Sequence, residues 1–121
     1  MKKILTLLIL LATTAMGSQA STPHYWRSDS VKVVRLLEKA ATLHPKTNYT
    51  LWFARQLRGL PYVAKTLEVN REERLVVNLR QLDCTTYVET VMALALCMKQ
   101  KAHTFQAFCR NLQRLRYEDG K

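Results

Sequence analysis

The chain has 121 residues, 48% of them hydrophobic and 23% charged, and a formal net charge of +10. That length leaves room for one small domain. The basic residues are dispersed, with no aromatic-interleaved stripe, so the charge describes a solvated surface suited to anionic surroundings and argues against nucleic acid as a partner.

Lys2 and Lys3 lead an apolar run from Ile4 to Ala15, and Ser18-Gln19-Ala20 supplies small residues ahead of a cut. This is the three-part plan of a secretory signal peptide, with cleavage expected between Ala20 and Ser21. The run is too short for a comfortable membrane span, and no cysteine follows closely enough for a lipid anchor. A retained N-terminal anchor is the alternative. Cleavage would leave 101 residues and a formal charge of +8, because all nine acidic residues follow the cut. The expectation is a periplasmic or secreted protein with no stable membrane anchor after cleavage.

Residues 21–28, with Pro23 and two aromatics, read as a linker. A helix is predicted from Ser28–Ser30, where Ser and Asp cap well, with Val31, Val34, Leu37 and Ala41 as its apolar stripe and Pro45 beyond its end. The segment "TNYTLWFARQLRGLPYV" restarts the pattern. Thr47 or Asn48 can cap it, Leu51, Trp52 and Leu57 supply apolar surface, and Gly59 fits the left-handed position after the last turn. Pro61 forbids continuation. "TLEVNREERLVVNL" predicts a hairpin of two short strands around the polar turn Asn70–Glu73.

From about Cys84 to Met98 the chain predicts a helix that is apolar on nearly every side and therefore expected to be buried on nearly every side. Thr104 can cap a last helix with Phe105, Phe108, Leu112 and Leu115 on its stripe and Arg110, Arg114 and Arg116 elsewhere. The predicted class is α+β.

Three cysteines, Cys84, Cys97 and Cys109, are an odd number for an oxidising compartment, so at least one is free or paired between chains. No histidine stands at ligand spacing from a cysteine, so no metal site and no cofactor are expected. Cys97 and Cys109 each fall inside a helix and read as core, with a disulfide between the two helices left open. Cys84 is different. It stands where alternating sequence gives way to the apolar helix, and the first turn of a helix offers unpaired N–H groups and a partial positive charge. That field favours thiolate over thiol and offers donors to an oxyanion. The alternative is a small apolar filler at a helix start. Asp83 is placed to cap or brace the turn, and Thr85 and Thr86 to bond backbone or substrate.

These residues carry a family resemblance. "DCTTYVE" (Asp83–Glu89) resembles the Asp-Cys-Ser-Gly-Phe-Val nucleophile motif of the NlpC/p60 clan of papain-like cell-wall peptidases, and "GLPYVAKTLE" (Gly59–Glu68) resembles that clan's upstream Gly-x-Pro-Tyr segment. The stretch "LPYVAKTLE…ERLVVNLRQLDCTTYVETVMALA" is similar to the N-acetylmuramoyl-L-alanine amidase-like family, also known as domain-of-unknown-function family 1460. The resemblance runs from about Ser30 to Gly120.

It implies a papain-like fold whose N-terminal helices, hairpin and nucleophile helix are present and whose C-terminal sheet is missing, with residues 29–121 as the N-terminal portion of an amidase-like domain. It implies hydrolysis of a peptidoglycan amide, with peptidoglycan fragments or the stem peptide as partner. Cys84 would be the nucleophile, Tyr62 would line the site or hold the oxyanion, and Thr85 and Thr86 would touch substrate. Tyr62 as an amphipathic residue at the core edge is the plainer alternative. Lys65 stands where the family usually has glycine, which predicts a differently shaped loop.

A cysteine hydrolase also needs a general base beside the thiol. None of His24, His44 and His103 matches the family's histidine, which follows the nucleophile helix on the sheet. The expectation is a truncated chain, inactive alone. Two rivals stand beside it: a non-catalytic basic module that binds the cell envelope, and a small disulfide-linked structural protein.

Overall fold

The first helix, α1 (Arg27–Ala41), begins one to three residues earlier than its serines suggest. Its start is fixed from within, since Asp29 Oδ2 accepts the Trp26 backbone N–H at 2.9 Å. Its inner face is Val33, Leu36, Leu37 and Ala40, whereas Val31 and Ala41 are exposed. The expected stripe is thus rotated, sharing only Leu37 with the observed one. Both sets are spaced for one helical face, and the packing against the later helices chooses between them. The computed structural model describes residues 22–68 and 74–117.

Asn48 caps α2 (Tyr49–Gln56), accepting the Leu51 N–H at 3.1 Å. Phe53 and Leu57 are buried, and Gly59 has φ +91°, the left-handed turn expected ahead of Pro61. Between α2 and the next helix, the described residues hold almost no strand: two isolated parallel bridges, His24 with Val76 and Tyr62 with Leu82. Thr66 and Leu67 lie in a turn, and the predicted hairpin turn falls at 69–73, outside the described residues.

Among the described residues, 75–79 form only an isolated bridge, in which the His24 main chain bonds the Leu75 carbonyl and the Val77 N–H, and side chains take other polar groups. Asp29 Oδ1 accepts the Leu79 N–H at 3.0 Å, Asn78 Oδ1 accepts those of Arg80 and Gln81, and Arg116 Nη1 donates to the Val76 carbonyl at 2.6 Å. The described fold is mostly helical.

The central helix, α3 (Cys84–Gln100), ends at Lys101 in the left-handed conformation, φ 55°. It packs most extensively on α4 (Phe105–Arg116), then on α2 and α1. Val91, Ala93, Leu94, Cys97 and Met98 meet Phe108 and Leu112 in the core. Burial is not all-round, however. Val88 and Met92 are 54% and 44% exposed, one and two turns on from the exposed Cys84. An apolar stripe therefore faces water along α3, because the described helices cover only its other sides.

Two polar devices close the α3–α4 seam. Asn111 donates to the Ala93 carbonyl and to Cys97 Sγ, and exchanges hydrogen bonds with the Gln100 amide at 3.0 Å. Arg116, expected off the buried stripe, is instead buried, with Nε 3.0 Å from Glu89 Oε1. Glu89 would otherwise be an uncompensated charge in an apolar helix.

Candidate active site

The site is built on the first turn of α3. Asp83 caps it: the carboxylate accepts the Thr86 N–H at 2.8 Å, while the Asp83 N–H donates to Thr86 Oγ1 at 2.9 Å. The pair is a capping box in which threonine stands at the third helical position. The Thr86 backbone N–H holds the Asp83 carboxyl below its ordinary range; burial pulls the other way, and the Thr86 hydroxyl and Arg116 help lower it. A carboxylate so engaged is a poor proton acceptor.

Cys84 follows as the first helical residue, a free and exposed thiol. Thr85 is exposed beside it. Thr86, expected as a substrate contact, is buried, and its hydroxyl also meets Asp83 Oδ1 at 3.0 Å. It is a capping residue, and its hydroxyl is committed before any ligand arrives.

Tyr62 reaches the same place by another route. Leu82 N–H donates to the Pro61 carbonyl and Val63 N–H to the Leu82 carbonyl, so the Pro-Tyr segment lies against the residues that lead into α3. The Tyr62 ring is 70% exposed. Cys84, Thr85 and Tyr62 are therefore brought to one end of α3, while Tyr87 turns inward and donates its hydroxyl to the Ala54 carbonyl of α2. Lys65 has φ 62°. Position 65 thus has the left-handed backbone that glycine adopts freely and that lysine holds at a cost.

The histidines lie elsewhere. His103 follows the far end of α3, about 25 Å from Cys84 at 1.5 Å per residue. His44 follows the end of α1, and its Nδ1 accepts the Lys46 N–H at 3.1 Å. His24 is tied by its main chain to Leu75 and Val77. No hydrogen bond among the described residues joins a histidine ring to Cys84, and none of their His, Cys, Asp and Glu form a set of three able to hold a metal.

The other two thiols are held as thiols. Burial pushes Cys97 up, against the Asn111 amide and Arg110, and burial with Cys97 nearby pushes Cys109 up to about 11. Both are free. The sequence reading missed the cluster of Asp29, Trp26 and Arg80 just ahead of this site. Its one local signal was an aspartate three residues after Trp26, at the third position of a helix.

The family profile described as AmiA-like, N-acetylmuramoyl-L-alanine amidase-like, matches residues 52–121. Among solved structures, an N-acetylmuramoyl-L-alanine amidase from Bacteroides uniformis ATCC 8492 is 44% identical with a TM-score of 0.55, over 60% of this chain and 30% of that one. A Bacteroides fragilis protein with a provisional xylanase name is 46% identical with a TM-score of 0.54, over 59% and 31%. The chain thus spans less than a third of the length of either solved relative. No curated protein matches. Among the described residues no helix is long and apolar enough to cross a membrane.

Proposed function

Because this chain belongs to the N-acetylmuramoyl-L-alanine amidase-like family, we propose that it carries the nucleophile part of an exported cysteine amidase acting on peptidoglycan. The finer assignment is to family 1460 of the NlpC/p60 clan, with a papain-like fold completed by a hairpin and a sheet. Residues 1–20 are its leader and 29–121 the N-terminal portion of the domain; the stretch 21–28, expected as a linker, joins that portion, since His24 pairs with Val76 and Arg27 opens α1. The cellular site is the periplasm or beyond.

Cys84 is the nucleophile. Its sulfur, as thiolate, attacks the carbonyl of the amide between N-acetylmuramic acid and L-alanine, or of one within the stem; a C–S bond forms and the carbonyl electron pair moves onto oxygen. The Cys84 N–H at the first turn of α3, with the Tyr62 hydroxyl, holds that oxyanion. Collapse expels the amine, which takes up a proton, and water then cleaves the thioester to free the acid and the thiol. The base that takes the thiol proton is not one of the three histidines, so this polypeptide alone does not turn over.

The observation carrying the reading is an exposed cysteine at the capped first turn of α3 with an exposed tyrosine beside it. Its test is a muropeptide bearing a thiol-reactive electrophile at the scissile carbonyl. One adduct should form, at Cys84 and none in Cys84→Ala; an unmodified Cys84 beside intact probe would overturn the assignment. Release of stem peptide by the wild-type chain, abolished in Cys84→Ala, would refute the statement that it is inactive alone.

The provisional xylanase name of the second relative gains nothing from these residues. Glycoside hydrolysis needs two carboxyl groups facing one bond; at the first turns of α3 Asp83 is committed to the cap and Glu89 to Arg116. A non-catalytic envelope-binding module is favoured by the net charge of +10. It predicts binding to anionic wall polymer that survives Cys84→Ala and falls steeply with salt.

A further inference from the structure

We infer that Arg80, fixed between Asp29 and Trp26, recognises a carboxylate of the substrate's peptide stem. This rests on the amidase reading above and extends it from the bond cut to the part of the ligand beside it.

The arrangement is pre-set by burial. Asp29 is 1% exposed, and its two oxygens accept the Trp26, Leu79 and Arg80 Nε hydrogens at 2.9 to 3.4 Å. The ion pair engages Arg80 through Nε alone. Its guanidinium lies 3.6 Å from the centroid of the Trp26 ring, which fixes the plane of the group. The Nη hydrogens have no hydrogen-bond partner among the described residues. A planar fork held still with its outer donors unused is the geometry that binds a carboxylate through two parallel bonds.

Three further observations agree. The Trp26 ring is 58% exposed, an apolar face kept beside the fork. Lys32 Nζ donates to the Leu79 carbonyl at 3.3 Å, next to the Leu79 N–H that Asp29 accepts, so Lys32 and Arg80 stand against the single charge of Asp29. The balance attracts an anion. Arg80 also precedes Cys84 by four residues, which limits their Cα atoms to about 14 Å apart. A stem-peptide carboxylate up to four residues from the attacked carbonyl lies within about 14 Å of it, the same upper limit.

The test is calorimetric binding of a disaccharide–tripeptide muropeptide to the full chain, with its stem carboxyls either free or converted to amides. The free form should bind about tenfold more tightly or better, as a charge-assisted pair requires. Arg80→Gln should bring the ratio close to one, and Arg80→Lys should keep part of it, since the charge remains and the fork is lost. A role confined to holding α1 would weaken both forms alike and leave the ratio in Arg80→Gln unchanged, which would overturn the inference. Should Arg80→Gln fail to fold, the wild-type ratio still decides: equal affinities remove the inference alone. Binding of neither form would remove the amidase reading, and this inference with it.

Discussion

Cys84 and Cys97 belong to one helix and meet opposite conditions. Cys84 opens α3, exposed, with an aspartate cap behind it. Cys97 lies nearly four turns on, buried, accepting a hydrogen bond from Asn111 across the α3–α4 seam. Burial holds the second as a thiol, while exposure gives the other an approach path. The contrast extends to their surroundings. Beside Cys97 the Asn111 amide is engaged with the Ala93 carbonyl and the Gln100 amide; along the line from Cys84 through Val88 to Met92 the helix meets water. The same element is sealed at one end and open at the other, and reactivity follows the opening.

The sharpest way to break this contrast is chemical. Alkylation of the native chain should modify Cys84 about 100-fold faster than Cys97, because a buried thiol reacts only through local opening, with the half-buried Cys109 in between. Peptide mapping reads the result, and equal rates would mean that the seam is not closed.

Next in size is Arg116→Ala. It strips Glu89 of its partner and the Val76 carbonyl of its donor, and should destabilise by about 3–5 kcal/mol in a denaturant titration. A loss under about 1 kcal/mol would show that Glu89 escapes to water.

Both regions were unequally legible in the sequence. The open end was readable because its signals are local: an aspartate, a cysteine and a change of periodicity within a few residues. Gly59 ahead of Pro61 was readable for the same reason. What closes the other end is long-range. Arg116 looked like a solvent-facing residue, and its partners are Glu89 and Val76, brought near only by packing. The Asp29–Arg80 pair spans 51 positions and leaves no periodic trace. The face of α1 failed differently, since two apolar stripes with helical spacing share Leu37 and the sequence cannot rank them. Thr86 was read as a ligand contact because threonine beside a nucleophile invites it; its place at the third helical position makes it a cap.

Smaller substitutions sharpen the open end. Asp83→Ala should cost about 1 kcal/mol through loss of the cap. Its carboxyl sits below the ordinary range, so the native state binds that proton less readily than the unfolded chain. The stabilisation is then present above the ordinary aspartate value, about pH 4, and is lost as pH falls through the lower folded value. An acid titration of Asp83→Ala should lack that part of the wild-type decline.

Lys65→Gly, which relieves the left-handed strain, should stabilise by about 0.5–1 kcal/mol, and a loss would mean that lysine makes a compensating contact. Val88→Ser should change stability least, within about 0.5 kcal/mol. A loss of 2 kcal/mol or more would put Val88 inside a core.

The bare ribbon from Cys84 to Met92 also bears on how such a polypeptide fares at high concentration. Greasy residues aligned on a rigid rod are a ready surface for adhesion, and the many like charges elsewhere are what oppose clumping. Raising ionic strength weakens that repulsion and leaves the adhesion intact, so turbidity in concentrated samples should climb with added salt, and a lysine introduced in place of Met92 should restore clarity.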